Sequence, residues 1–255
     1  MPKTAIFSKL TAAKAEGHKL FAVLIDPDKV AGEQLLLTLE LAEQSGADLF
    51  LVGGSTVANG QTAKTLQFIK QHSTIPMLLF PGDHQHLSDA ADALLFLSMV
   101  SGRNAEYMIG QQVAAAEWLR QHPMEVISTA YMLIDGGGEP AVKRVTQTQP
   151  IPLSDSQLAA DTAFAARLMG FKATYLEAGS GAKEPVPTEM IQVVRQQITG
   201  PLFVGGGIRN ENSAAATARA GADVVVVGNI LEKDPTLMPT MVKAVHQASS
   251  KAASL

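Results

Sequence analysis

Two hydrophobic rhythms alternate along this chain from end to end. Short apolar runs rich in Leu and β-branched residues recur at FAVLID (21–26), DLFLVGG (48–54), PMLLFPG (76–82) and ALLFLSMV (93–100). Four more follow at EVISTAYMLID (125–135), ATYLEA (173–178), PLFVGGG (201–207) and DVVVVGN (223–229). Between most of them, apolar residues return every three or four positions: GEQLLLTLELAEQSG, TAKTLQFIKQH, AEYMIGQQVAAAEWLRQH, SDSQLAADTAFAARLMG, TEMIQVVRQQI and ENSAAATARAG. A last such stretch, PTLMPTMVKAVHQAS, closes the series. The first rhythm predicts strands and the second amphipathic helices. Strands that are apolar almost throughout have both faces covered, as in parallel α/β sheets. Eight of them with helical connections in 255 residues predict one domain over 1–255, a (β/α)8 barrel rather than a doubly wound open sheet.

Two segments break the regularity. The link DHQHLSDAAD between the third and fourth strands is too short for a crossover helix with its turns, which needs about a dozen residues. The barrel is therefore expected to be irregular at its third helix position. The segment DGGGEPAVKRVTQTQPIP (135–152) reads as a long βα loop, and such loops are often binding loops or lids. AEQSGADLFLVGGS and ATARAGADVVVVGN share one order: helix end, Gly, Ala-Asp, strand, then Gly with a small polar residue.

Composition narrows the function classes. Net charge is −4 with Lys and Arg scattered, and no basic block or aromatic–basic interleaving argues for nucleic acid. With no cysteine, disulfide frameworks and thiolate chemistry are excluded. MPKTAIFSKLTAAKAEGHKL lacks the apolar core and cleavage pattern of a signal peptide, and runs such as VVVV (224–227) are strand-length. A soluble, cytoplasmic domain is expected.

In a barrel of this kind the chemistry sits at the C-terminal ends of the strands, and that is where the unusual residues fall. Side chains alternate along a strand, so Leu24 shares a face with Asp26, Gly53 with Ser55, and Tyr175 with Glu177. If those faces point inward, Asp26, Ser55, Tyr175 and Glu177 converge. VGGGIRN after the seventh strand and VGN after the eighth place glycines where backbone N–H groups can approach a phosphate, with a short helix N-terminus adding its dipole. Tight turns alone are the plainer reading. Asp26 in DPDK suits either a helix start before Pro27 or a Mg2+ ligand beside a phosphate site; Asp28 reads as a solvated charge. His84 and His86 are too few for zinc without cysteine. No nucleophile elbow, P-loop or early G-x-G-x-x-G occurs.

The motifs LIDPDK, LVGGST, YLEAGSG, GGGIR and VVVGN, in this order over residues 24–229, resemble the geranylgeranylglyceryl phosphate synthase family, whose bacterial relatives make heptaprenylglyceryl phosphate. SGRNAEYMIGQQ after the fourth strand is similar to that family too. The resemblance implies a prenyltransferase of ether-lipid (phospholipid) biosynthesis. It would join the C3 hydroxyl of sn-glycerol 1-phosphate to a polyprenyl diphosphate, release diphosphate, and use Mg2+. Carried over by motif, Asp26 and Ser55 would hold the metal, and Glu177 and Tyr175 would be catalytic. Tyr175, Leu176, Glu177, Ala178, Gly179, Ser180 and Gly181, with Gly206, Gly207, Gly228 and Asn229, would bind glycerol 1-phosphate. Leu24, where heptaprenyl-using relatives carry Lys, tilts the donor toward geranylgeranyl diphosphate. Met99, Tyr107 and Met108 are candidates to line a prenyl groove, although Met and aromatics at such spacing also suit a core. A homo-oligomer with transient membrane contact is expected. Two other readings stay open: another phosphate-binding barrel, such as a sugar-phosphate isomerase or lyase, and a glycerol phosphate sensor without turnover.

Overall fold

The computed structural model describes residues 5–58 and 60–249. Its chain runs α1 (Ala5–Ala15), β1 (Leu20–Ile25), α2 (Gly32–Ser45), β2 (Leu49–Val52), α3 (Gln61–His72), β3 (Met77–Leu79) and β4 (Ala93–Met99). A π-helical turn, Glu106–Gly110, leads into α4 (Gln111–Gln121), followed by β5 (Glu125–Leu133), α5 (Ala141–Thr146), α6 (Ser156–Leu168) and β6 (Ala173–Glu177). The rest is α7 (Thr188–Gln197), β7 (Leu202–Gly205), α8 (Glu211–Ala220), β8 (Val224–Val227), α9 (Asn229–Lys233) and α10 (Met238–Gln247). The eight strands pair in sequence order and β8 closes on β1, all in parallel. The predicted barrel is present, with its irregularity where it was expected: β3 and β4 are joined by a 3₁₀ turn, His84–His86, instead of a helix.

Alternation along each strand sorts the apolar residues into two layers. Ala22, Leu51, Leu78, Leu95, Tyr175, Phe203 and Val226 fill the barrel interior. Phe21, Val23, Phe50, Val52, Leu176 and Val225 face outward and pack against the helices. The inward set is the one that contains Tyr175, which fixes the direction of Glu177 two residues on. Burying one such Leu, Val or Phe contributes about 1.5–3 kcal/mol.

The N-terminal end of the barrel is closed by α1, a helix the sequence pattern did not reveal. Ile6 and Leu10 are buried in the interior layer, and the Glu125 carboxylate at the start of β5 accepts the N–H groups of Ile6 and Phe7, both at 2.8 Å. At this same end the recurring Ala-Asp pair has a structural role. Asp48 accepts the Phe21 N–H of β1 at 2.7 Å, and Asp223 accepts the Leu202 N–H of β7 at 2.9 Å. Each carboxylate thus takes an N–H at or next to the start of the preceding strand, while Gly46 (φ 73°) and Gly221 (φ 126°) turn the helix end back toward the sheet. Arg195 joins Asp223 at 2.6 Å and donates to the carbonyls of Ile198 and Gly200. No described helix is long and apolar enough to cross a membrane.

Candidate active site

The C-terminal ends of the strands open onto a cavity of about 670 Å³. Asp26, Ser55, Tyr175, Glu177, Ser180, Gly181, Gly206, Gly207, Gly228 and Asn229 all line it, so most of the site residues expected from sequence meet in one place. Leu176 and Ala178 do not. Alternation turns both outward, into the apolar layer beneath the helices, and neither brings a side chain to the cavity. Gly179 is also absent from the wall, and its N–H is spent inside the chain.

Glu177 ends β6 and is buried at 6% exposure. The Gly179 N–H donates to its Oε1 at 2.7 Å. Burial pushes the carboxyl up to about 7, while that N–H and the neighbouring Tyr175 hydroxyl favour the charged form and pull the other way. This carboxyl can therefore both take and hold a proton near neutrality. Tyr175 lies at the centre of an aromatic floor, with ring centroids 5.2 Å from Phe80, 5.3 Å from Tyr131 and 5.9 Å from Phe203. Its hydroxyl is buried beside Glu177 but meets hydrogen-bond geometry with no described group. Leaving such a hydroxyl unpaired costs about 1–3 kcal/mol, a cost that a polar molecule bound in the cavity can remove.

Glycine is required around this carboxyl. Gly206 (φ 84°) would place a Cβ 2.6 Å from Glu177 Oε1, so any side chain there would displace the carboxylate. Gly228 directly precedes α9, whose first N–H groups have no intrahelical acceptor. A Cβ on Gly228 would lie 3.2 Å from that of Leu24, which puts Leu24 on the wall of the same cavity. Across the rim, Ser180 Oγ donates to Asn229 Oδ1 at 3.1 Å and ties the loop after β6 to the start of α9.

Asp26 directly follows β1, and Ser55 lies three residues beyond β2. Asp26 Oδ1 accepts the Asp28 N–H at 3.1 Å, and its Oδ2 lies 2.8 Å from Lys29 Nζ. Lys29 in turn lies 3.6 Å from Glu232 of α9. The Asp28 carboxylate is exposed and accepts the Ala58 N–H at 3.0 Å, which ties the β1 loop to the loop after β2. A carboxylate and a hydroxyl opening on one cavity are hard oxygen donors, and Mg2+ typically takes one or two protein carboxylates and draws the rest from water and substrate. The donor set fits that ion.

A second, mostly apolar groove leaves the cavity past Phe80 and Tyr131, running between the β3–β4 turn and α4. Met99, Tyr107, Phe96, Leu97 and Ala115 line it. Met108 does not; it is half-buried in the π-helical turn, where its carbonyl accepts the Ser98 hydroxyl at 2.8 Å. His84 anchors the 3₁₀ turn, its N–H donating to Gln111 Oε1 of α4 at 2.9 Å. Val142 of α5 borders both spaces, so the loop 135–152 roofs them together.

Sequence reasoning missed three contributors: Tyr131, Lys29 and Glu232. Tyr131 stands directly opposite Tyr175 in the β5–β6 register. Its inward parity with Leu133 was a usable signal. For the Lys29–Glu232 contact no signal existed, because the two are brought together by closure of β8 on β1.

Such a molecule is an enzyme of the barrel class, with a buried carboxyl in a polar cavity and an apolar groove adjoining it. The chain belongs to the PcrB family, whose family model matches residues 13–249. A geranylgeranylglyceryl phosphate synthase from Flavobacterium johnsoniae is 46% identical over 231 residues, 91% of this chain and 95% of that protein. One from Thermococcus kodakarensis is 42% identical over 221 residues, 86% of this chain and 87% of that protein. The crystal structure of (S)-3-O-geranylgeranylglyceryl phosphate synthase from Thermoplasma acidophilum, in complex with substrate sn-glycerol-1-phosphate, matches with a TM-score of 0.88 at 32% identity. That match covers 97% of this chain and 99% of the other.

Proposed function

We propose that this chain is a prenyltransferase that joins sn-glycerol 1-phosphate to a polyprenyl diphosphate through an ether bond. The observation that carries the reading is the position of Glu177, buried in a polar cavity from which an apolar groove departs. The family and its relatives' names support the same chemistry.

Glycerol 1-phosphate would sit with its phosphate toward Gly207, Gly228 and Asn229 and its C3 hydroxyl beside Glu177. The hydroxyl oxygen bonds to C1 of the prenyl chain as the C1–O bond to diphosphate breaks and diphosphate leaves with the electron pair. Glu177 accepts the hydroxyl proton and, as an anion, stabilises positive charge developing at the allylic carbon. The aromatic faces of Tyr131 and Phe80, at the junction of cavity and groove, can add to that stabilisation. Asp26 and Ser55 would hold Mg2+, which when bound supplies charge neutralisation for the leaving diphosphate. Leu24 on the cavity wall, where a Lys would add a cation, supports a geranylgeranyl donor. The apolar groove weighs against a sugar-phosphate isomerase or lyase, which would have no use for it.

The test is incubation with sn-glycerol 1-phosphate, Mg2+ and prenyl diphosphates of graded length, with products read by mass. A prenyl ether of glycerol phosphate is expected, with geranylgeranyl diphosphate preferred. No ether with any donor, while glycerol 1-phosphate still binds, would favour a sensor instead.

A further inference from the structure

Lys29 is held between two carboxylates that come from opposite sides of the barrel closure. Its ammonium lies 2.8 Å from Asp26 Oδ2 and 3.6 Å from Glu232 Oε1. With the Asp28 N–H on Oδ1, both oxygens of Asp26 are engaged in this chain. Glu232 is largely enclosed, at 14% side-chain exposure, and among the described residues its one ion pair is with Lys29. Its backbone is held in place as well: the Glu232 carbonyl accepts the Gln34 side-chain amide of α2 at 2.6 Å. All three charged groups line the cavity. A carboxylate this enclosed is costly unless it has a cation of its own, and one lysine is shared between two of them.

We infer that Lys29 is a two-position counter-ion, seated on Asp26 while the cavity is free of metal and passing to Glu232 when a divalent cation takes Asp26. The move is small. From 3.6 Å to a charge-assisted distance of about 2.8 Å, the ammonium advances about 0.8 Å, within the reach of a side chain with four rotatable bonds. Glu232 then acts as a positioning residue. It keeps the displaced positive charge paired at the cavity wall, where the Lys29 side chain, 46% exposed, would otherwise be released toward solvent and leave Glu232 without its cation. This inference rests on the proposed metal role of Asp26.

Direct binding of Mn2+, used as a probe for Mg2+ and followed by its electron paramagnetic resonance signal, tests it without turnover. D26N serves as the control. K29Q removes the competitor and should tighten Mn2+ binding about five- to tenfold, the scale of one charge a few ångströms away at a half-exposed site. E232Q removes the second seat and should weaken binding about threefold or more. In the double variant K29Q/E232Q the cost of E232Q should largely vanish, because no lysine is left to seat. If both charges acted only through the general field of the site, the two effects would add. Additive effects, or K29Q binding Mn2+ no more tightly than the unsubstituted protein, would overturn the two-position lysine even where D26N abolishes binding. Binding that D26N leaves intact would remove Asp26 as the ligand and the inference with it. Circular dichroism of each variant confirms that the barrel is folded.

Discussion

Replacing Glu177 with Gln is the most incisive perturbation of this site. It keeps the shape and the oxygen that accepts the Gly179 N–H, and it deletes the charge and the proton acceptor. General base catalysis is worth about 10²- to 10⁴-fold, so kcat should fall by at least a hundredfold, while glycerol 1-phosphate affinity, carried by the glycine loops, changes little. The carboxyl titrates near 7 in the free protein. At pH 6 only about a tenth of the molecules carry the base, and at pH 8 about nine-tenths do. kcat/KM should therefore climb with pH through about 7 and level off above it, and E177Q should lose that limb.

Stability moves in the opposite direction. The folded-state value lies above the ordinary 4.5, so the protonated carboxyl is the form that folding favours. That contribution is fully present below pH 4.5 and is lost as pH rises through about 7, at an upper limit of about 3 kcal/mol. E177Q should accordingly stay more stable than the unsubstituted protein at pH 8 and lose the advantage near pH 5, as read by urea titration at the two values. A flat kcat/KM between pH 6 and 8, or more than about a tenth of the original kcat in E177Q, would refute the assignment of the base.

Other outcomes follow from the same geometry. Only one glycerol hydroxyl can reach Glu177 with the phosphate held at the glycine loops, so sn-glycerol 1-phosphate should exceed the 3-phosphate in kcat/KM by at least about a hundredfold; equal rates would contradict that placement. Ala115 is the smallest side chain on the groove wall, and A115F should raise KM for geranylgeranyl diphosphate at least tenfold without altering the thermal shift induced by glycerol 1-phosphate; an unchanged KM would move the prenyl chain elsewhere. Arg195 makes three hydrogen bonds at the far end of the barrel, and R195A leaves the buried Asp223 with only Lys19, 3.8 Å away, as a cation. A loss of about 3 kcal/mol and a fall of about 5–10 °C in Tm are expected, with KM for both substrates unchanged.

The barrel was legible because each strand is buried on both faces and cannot hide its apolar run. Boundaries drifted by a residue or two where glycines extend a strand, as at Gly53 and Gly206. Two elements were not legible. α1 buries only Ile6 and Leu10, and its N-terminal carboxylate partner, Glu125, lies 119 residues from Ile6 in sequence. α5 is six residues long and sits between a run of glycines and QTQPIP, so turn signals conceal it. The site was partly legible for a related reason. Parity along one strand pairs Tyr175 with Glu177 but does not say which face is inward; only closure of the sheet decides that. Reading YLEAGSG as a continuous motif overlooked the same alternation, which sends Leu176 and Ala178 outward.

At the short β3–β4 link the irregularity of the barrel and the apolar groove are one feature. In an ordinary βα unit a helix would cover the outer face of β4. Here a 3₁₀ turn of three residues stands in its place. Phe96 on the outer face of β4 is consequently half-buried and borders the groove, as does Leu97 on the inner face. The turn cannot drift outward to fill the space. The loops after β2 and β3 are pressed together so closely that a Cβ on Gly82 would lie 2.4 Å from the Gly54 carbonyl oxygen. His84 is bonded to Gln111 across the opening. With the turn held back on one side and α4 fixed on the other, the omitted helix leaves a channel that reaches Phe80 and Tyr131, which also line the polar cavity. A barrel with the helix restored would keep its strands and its polar cavity but would lose the apolar groove.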